Sequence, residues 1–154
     1  MPLGNAFPAS LKHASIKRQL APGAVVKIQA VMDDGLIHEK RFVVLHVDSA
    51  ASTFTCVINT NVPKLIANNS ALSKCQVTID RAAHPFMDWD SHIDCSRVRT
   101  YPTDEMCKQL EDKPDWVLGK ITPDVRDLII SALKFSPTIP SDIFQICCSS
   151  LKSV

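Results

Sequence analysis

Polar and apolar residues alternate from Val25 to Met32: Val26, Ile28, Ala30 and Met32 are apolar, Lys27 and Gln29 polar. This period of two is the mark of a half-buried strand. Pro22-Gly23 before it is a turn signal, and Asp33-Asp34-Gly35 after it opens a loop running to about Glu39. Then comes Lys40-Arg41-Phe42-Val43-Val44-Leu45-His46-Val47, two cations running into an apolar stretch rich in valine. The stretch predicts a strand over 41–48 buried on both faces, with its charges standing at the rim of the sheet. Asp48 to Ser52 turns the chain, and Thr53 to Asn59 reads as a third strand with Phe54, Cys56 and Ile58 on one face. Strands at this spacing predict an antiparallel meander.

Farther on, 61–73 reads as a loop, or a loop with one helical turn. Cys75, Val77 and Ile79 alternate with polar residues and predict a fourth strand. Residues 81–90, with Pro85, are irregular. A fifth strand is expected from Ser91 to Thr100, and its phase slips between Cys95 and Val98, which predicts a bulge or bend. Thr103 is placed to cap a helix reaching about Asp112. A short strand over 116–121 follows. Thr122-Pro123-Asp124 starts a helix with Val125, Leu128, Ile129, Ala132 and Leu133 on its core face. Ser136-Pro137 stops it, and Pro140-Ser141 starts a last possible helix with Ile143, Phe144, Cys147, Cys148 and Leu151 apolar. Before the first strand, 1–9 reads as a loose lead-in and Ser10 to Leu20 as a short helix. Strands followed by helices predict an α+β chain, a small curled sheet or barrel with helices packed on it.

Composition narrows the reading in three ways. A chain of 154 residues with 45% apolar content fits one domain with one real core. Lys+Arg is 17 and Asp+Glu is 16, so no global field draws nucleic acid and any anion site must be local. Six cysteines at 56, 75, 95, 107, 147 and 148 form no CxxC and no zinc-type spacing. They read as reduced thiols of a cytoplasmic protein. The N-terminus lacks a long apolar run, and no stretch approaches the ~18 apolar residues of a membrane span.

The order of signals resembles the MazF/PemK (Kid/CcdB-like) toxin family of type II toxin–antitoxin systems. The resemblance rests on Pro22-Gly23-Ala24-Val25-Val26, Lys40-Arg41-Phe42-Val43-Val44-Leu45 and Cys56-Val57-Ile58-Asn59-Thr60. It continues through Val77-Thr78-Ile79-Asp80, Asp90-Ser91 and Val98-Arg99-Thr100, and ends in Leu118-Gly119-Lys120-Ile121-Thr122 with the helix at 124–134. It covers roughly 22–135 and leaves 1–21 and 136–154 as extensions. It implies an SH3-like small antiparallel β-barrel with C-terminal helices, usually a homodimer. It also implies a toxin that cuts single-stranded RNA without metal or cofactor and is silenced by an antitoxin protein. CcdB-like members share the fold but poison gyrase, so fold and function transfer separately. By position, Arg41 falls on the family's catalytic arginine. Asn59, with Thr60 next to it, falls where the family keeps a reactive hydroxyl. The loop that shapes the RNA site holds Gly35, His38 and Glu39. Three positions depart from the pattern: Phe42 stands in place of the usual proline, Ala24 in place of an acid, and Asp94 and Ser96 in place of the Arg and Asp of Kid-like members.

Metal-free RNA cleavage by 2′-OH attack needs a base, positive charge on the phosphate, and an acid for the departing 5′-oxygen. Arg41 suits the second role because its guanidinium stays charged and forks onto phosphate oxygens. His38 could be base or acid, and Glu39 the base. Asn59 or Thr60 could hydrogen-bond the phosphate, and Lys40 could add charge beside it. Trp89 and Phe86 could stack on bases, or anchor their loop to the core. Each also has a plainer reading: Arg41 snorkelling at a strand end, His38 solvated, Thr60 serving a turn. Within His84–Asp94, Asp88, Asp90, His92 and Asp94 share a face if the strand extends back that far, a competing constellation that suits a divalent metal. The leading reading is an endoribonuclease toxin. The other is a non-catalytic binding module on the same barrel, either a gyrase poison or a degenerate regulator.

Overall fold

A computed structural model describes residues 9–154. The lead-in at 1–9 lies outside them, save Ala9, which opens helix α1 (Ala9–Gln19). The structure is built around β2 (Ile37–Val47), which pairs antiparallel with β1 (Ala24–Val31) on one side and β3 (Ser52–Asn59) on the other. Residues 42–45 of β2 are completely buried. Successive side chains of a strand face opposite ways, so an unbroken apolar run requires cover on both faces. Val25, Val43, Cys56 and Ile58 belong to one core, closed by the C-terminal helices α5 (Pro123–Phe135) and α6 (Ser141–Lys152). Val26, Phe42, Val44 and Val57 belong to a second core, closed by α1 and by α4 (Thr103–Asp112). Both extensions therefore supply core residues: Ile16 and Leu20 in the second cluster, and Cys147, Cys148 and Leu151 in the first.

The remaining strands are short. β4 (Gln76–Ile79) pairs with β5 (Ser91–Asp94), which pairs with the last residues of β3. β6 (Arg99–Pro102) takes the same edge of β3 nearer its start. β7 (Val117–Lys120) joins the free edge of β1. The seven strands form one sheet with the path β4-β5-β3-β2-β1-β7. Its two ends do not pair with each other, so the mixed α+β arrangement stands while the expected closed SH3-like barrel is an open antiparallel path. The path ends against helix instead, with α5 packed on β4. All six cysteines are free and buried, and no helix of the described residues is long and apolar enough to cross a membrane.

Several expectations are corrected by local chemistry. The single strand over 91–100 is two strands, β5 and β6. Asp94 ends β5 because its buried carboxylate accepts from the Ser96 N–H at 3.0 Å and from the Ser96 hydroxyl. Thr103 does not cap α4 but is its first residue. Its hydroxyl is buried and donates to the Asp48 carbonyl at 2.7 Å. Thr122 does cap α5, accepting from the Val125 N–H at 3.3 Å. Leu128, expected on the core face of α5, is exposed. The 61–73 segment holds two single-turn helices, α2 (Lys64–Ala67) and α3 (Ser70–Ser73).

The 80–90 loop is tied down at its middle. His84 is fully buried. Its Nδ1–H donates to the Asp80 carbonyl at 2.9 Å, and its Nε2 accepts from the Thr122 N–H at 3.1 Å. Next to it, the Phe86 ring lies on Gly119 of β7, where a Cβ would come within 2.4 Å of the ring. Only glycine allows that approach. Gly119→Ala is expected to cost about 1–3 kcal/mol in urea unfolding, the size of an overpacked site. Unchanged stability would show that the ring moves aside freely.

Candidate functional site

β2 starts four residues before the expected strand over 41–48, and this decides the site. Ile37 to Glu39 were expected in a loop, but with Lys40 they pair with Ile28 to Val31 of β1. Gly35, with φ at 77°, and Asp34, whose carboxylate accepts from the Leu36 N–H at 2.9 Å, make the tight turn that lets the hairpin extend this far. Along an extended strand Glu39 and Arg41 share one face, while His38 and Lys40 share the other.

On the Arg41 face, the α5–α6 cover stops short of the start of β2. The space left is a cleft of about 310 Å³. It is lined by Lys27, Glu39, Lys40, Arg41, Ile58, Thr60, Met87, Asp88, Trp89 and Ser91. Lys27 of β1 stands directly across from Arg41, and Ile58 of β3 lies across its other side. The 80–90 loop makes the far wall. Arg41, four-fifths covered, donates through Nη2 to Asp88 Oδ2 at 2.7 Å. Lys27 Nζ lies 3.0 Å from Glu39 Oε1. The Trp89 indole N–H donates to the Thr60 hydroxyl at 3.0 Å, leaving the ring exposed at the mouth.

The structure thus brings together Arg41, Glu39, Thr60 and Trp89 of the candidates read from sequence. It does not bring in His38 or Asn59. His38 pairs across from Ala30 on the second-core face, and its Nε2 donates to Asp34 Oδ2 at 2.7 Å. The Asp34 carboxyl is held below its usual range by the Leu36 N–H first and by His38 second. Asn59 accepts from Lys40 Nζ at 3.1 Å on that same opposite face. Lys40 therefore borders the cleft while its amine points away. Phe86 packs on Gly119 and anchors the loop rather than reaching the cleft.

Sequence reasoning missed Lys27 and the true place of Asp88. Lys27 is found only through the hairpin register, which follows from the hidden four-residue extension of β2. In the sequence Asp88 falls in a candidate metal set with Asp90, His92 and Asp94, and the structure separates them. Asp88 is on Arg41, Asp90 accepts from the Arg81 N–H at 2.8 Å, and Asp94 accepts from Gln76 and Ser96. No cluster of three such groups able to hold a metal occurs among the described residues.

Chemically the cleft offers a guanidinium and an ammonium, a hydroxyl, two carboxylates and an exposed indole. In the resting arrangement each cation already holds one carboxylate. An oxyanion can enter by taking a carboxylate's place.

No protein-family profile matches the chain, and no curated protein matches it in sequence. Among solved structures, the Mycobacterium tuberculosis toxin MazF-mt6 is similar, with a TM-score of 0.44 and 13% identity over 70% of this chain and 91% of that one.

Asp88→Asn removes the carboxylate that occupies Arg41 and leaves the guanidinium in place. Inorganic phosphate is expected to bind about two- to fivefold more tightly to this variant, the value of an exposed ion pair. Calorimetric titration showing equal or weaker binding would exclude competition by Asp88.

Proposed function

We propose that the chain is a metal-independent endoribonuclease that cuts single-stranded RNA in the Arg41 cleft, as the toxin of a toxin–antitoxin pair. The observation that carries this reading is the convergence of Arg41, Lys27, Thr60, two carboxylates and an exposed indole in one cleft. Arg41 binds the scissile phosphate through its fork, displacing Asp88, and stabilises the charge that builds on the equatorial oxygens. The 2′-OH attacks the adjacent phosphorus and gives its proton to a cleft carboxylate, Glu39 or the displaced Asp88. The bond to the 5′-oxygen breaks, and that oxygen takes a proton from Lys27 or from water. The products are a 2′,3′-cyclic phosphate and a 5′-hydroxyl. Thr60 hydrogen-bonds a phosphate oxygen, and Trp89 offers a face for a base to stack on.

The reading carries the partners that the family resemblance implies: an antitoxin that silences the enzyme, a second copy of the chain, and a cytoplasmic setting that suits six buried free thiols. The exposed apolar side chains Val31, Leu36 and Ile37 at the end of the β1–β2 hairpin are surface that such partners could cover.

A second reading keeps the anion-binding cleft but not the chemistry: a non-catalytic binding module of the gyrase-poison or regulator kind. The observation that favours it is the position of His38, which leaves the cleft without an imidazole.

Incubating the protein with a long single-stranded RNA in EDTA separates the two. The nuclease gives discrete cuts, none at a position carrying 2′-deoxyribose, and Arg41→Ala slows them by roughly 10²–10³-fold. Intact RNA across many sequences, or unchanged cutting by Arg41→Ala, would sink the proposal.

A further inference from the structure

Lys40 is the cation of β2 that the cleft does not use. Its amine is half-buried on the opposite face, where it donates to the Asn59 side-chain Oδ1. No carboxylate pairs with it among the described residues. A second cation stands close by. Arg99 of β6 lies across from Thr55 on this face, and its side chain is only 12% exposed. Burial, and then the charge of Arg99, push the Lys40 ammonium below its usual pKa. Arg97 adds a third cation. Arg97 Nη1 and Arg99 Nη2 close on the two oxygens of one carboxylate, Asp33, at 2.9 and 3.0 Å. Asp33 sits on the exposed hairpin loop, with its side chain 68% open to solvent. Tyr101, on the same face as Arg99, sets its ring edge-on to Phe42 at 5.3 Å.

Two of these cations therefore close on one exposed loop carboxylate with Lys40 near them, and Arg99 and Lys40 are both partly desolvated. Charges in that state hold an anion far more strongly than solvated ones. Asp33 shows the kind of group that fits, a planar oxyanion spanning two guanidiniums. A phosphate offers the same pair of oxygens with further acceptor capacity for Lys40 and the Asn59 amide.

The position ties this patch to the cleft. Lys40 and Arg41 are neighbours on β2, Asn59 and Thr60 are neighbours at the end of β3, and each pair is divided between the two faces. Consecutive Cα atoms are only about 3.8 Å apart. The Thr60-Asn61 turn between the faces is exposed.

We infer that Lys40, Arg97 and Arg99 form a second phosphate-binding subsite, and that an RNA strand with one phosphate on Arg41 passes round the end of β3 to place a neighbouring phosphate here. This rests on the reading of the Arg41 cleft as an RNA site. Asp33 holds the subsite until the strand arrives.

The test uses two non-cleavable 2′-O-methyl oligonucleotides, a ten-mer that spans both faces and a dinucleotide whose single phosphate fills only the cleft. Arg99→Gln and Lys40→Gln are each expected to weaken the ten-mer about three- to tenfold. Each should flatten its plot of log K against log salt by about 0.7, one phosphate contact on a single strand. Neither changes dinucleotide binding, whereas Arg41→Gln weakens both ligands. Asp33→Asn keeps the cations and removes their competitor, so it should tighten the ten-mer by about two- to fivefold. A patch that only stabilises the fold predicts no gain from that variant. If Arg41→Gln weakens both ligands while Arg99→Gln and Lys40→Gln leave the ten-mer unchanged, the subsite is overturned and the cleft stands. If Arg41→Gln weakens neither, the cleft reading itself fails. Inorganic phosphate titrated against Arg99 side-chain resonances provides the remaining arm. Binding there, with a ten-mer indifferent to Arg99, would assign the patch to free phosphate and overturn the strand path.

Discussion

A strand covered by helices on both faces can carry polar side chains only at its ends. β2 obeys this constraint, and the rest of the structure depends on it. Residues 42–45 alternate between two separate cores, so each core receives half of the strand and must be closed by its own helices. The pairs α1 with α4 and α5 with α6 do this. Toward the start of β2 the apolar run gives way, and there Glu39, Lys40 and Arg41 are sorted by parity into two polar faces. Phe42 belongs to the same logic. It lies in the middle of a sheet, paired to Val26 on one side and Val57 on the other. Proline cannot donate to a ladder. Phenylalanine keeps the N–H and fills the second core against Tyr101.

Much of this was legible from period and punctuation. The alternation at 25–32, the valine-rich run after Arg41 and the Thr-Pro-Asp start of α5 each have one physical meaning, and the structure follows them. The start of β2 was not legible, because Ile37 to Lys40 pair on the exposed end of a hairpin where no core dictates an alternation. The error in the site follows from this one gap. A loop has no parity, so His38, Glu39, Lys40 and Arg41 could be imagined around one substrate. Once those residues are strand, Glu39 and Arg41 stay together and His38 and Lys40 go to the other side. Asn59 and Thr60 divide for the same reason. The break between β5 and β6 was visible as a phase slip, but only the buried Asp94–Ser96 turn explains why the strand ends there.

Pairing within the cleft has its own necessity. Arg41 is mostly covered, and a covered guanidinium without a partner would be costly. Asp88 meets that need and remains exposed enough to leave. Its position is fixed by the loop behind it, through buried His84 and through Phe86 lying on Gly119. The sequence thus commits a glycine and a fully buried histidine, both remote from any chemistry, to placing one carboxylate and one indole over a strand end.

Charge balance then limits what can bind there. A neutral ligand that displaced Asp88 would leave Arg41 bare, at a cost it could not recover from hydrogen bonds alone. A phosphate replaces the carboxylate charge for charge and adds acceptor oxygens for Lys27 and Thr60. Across the sheet, Asp33 stands in the same relation to Arg97 and Arg99. In both places a carboxylate from a surface loop occupies a cation anchored on a strand, Arg41 on β2 and Arg99 on β6. The fixed partner is positive and the removable one is negative. A repeating anion therefore meets matched sites on both faces, while an overall charge of +1 leaves the remaining surface with little hold on it.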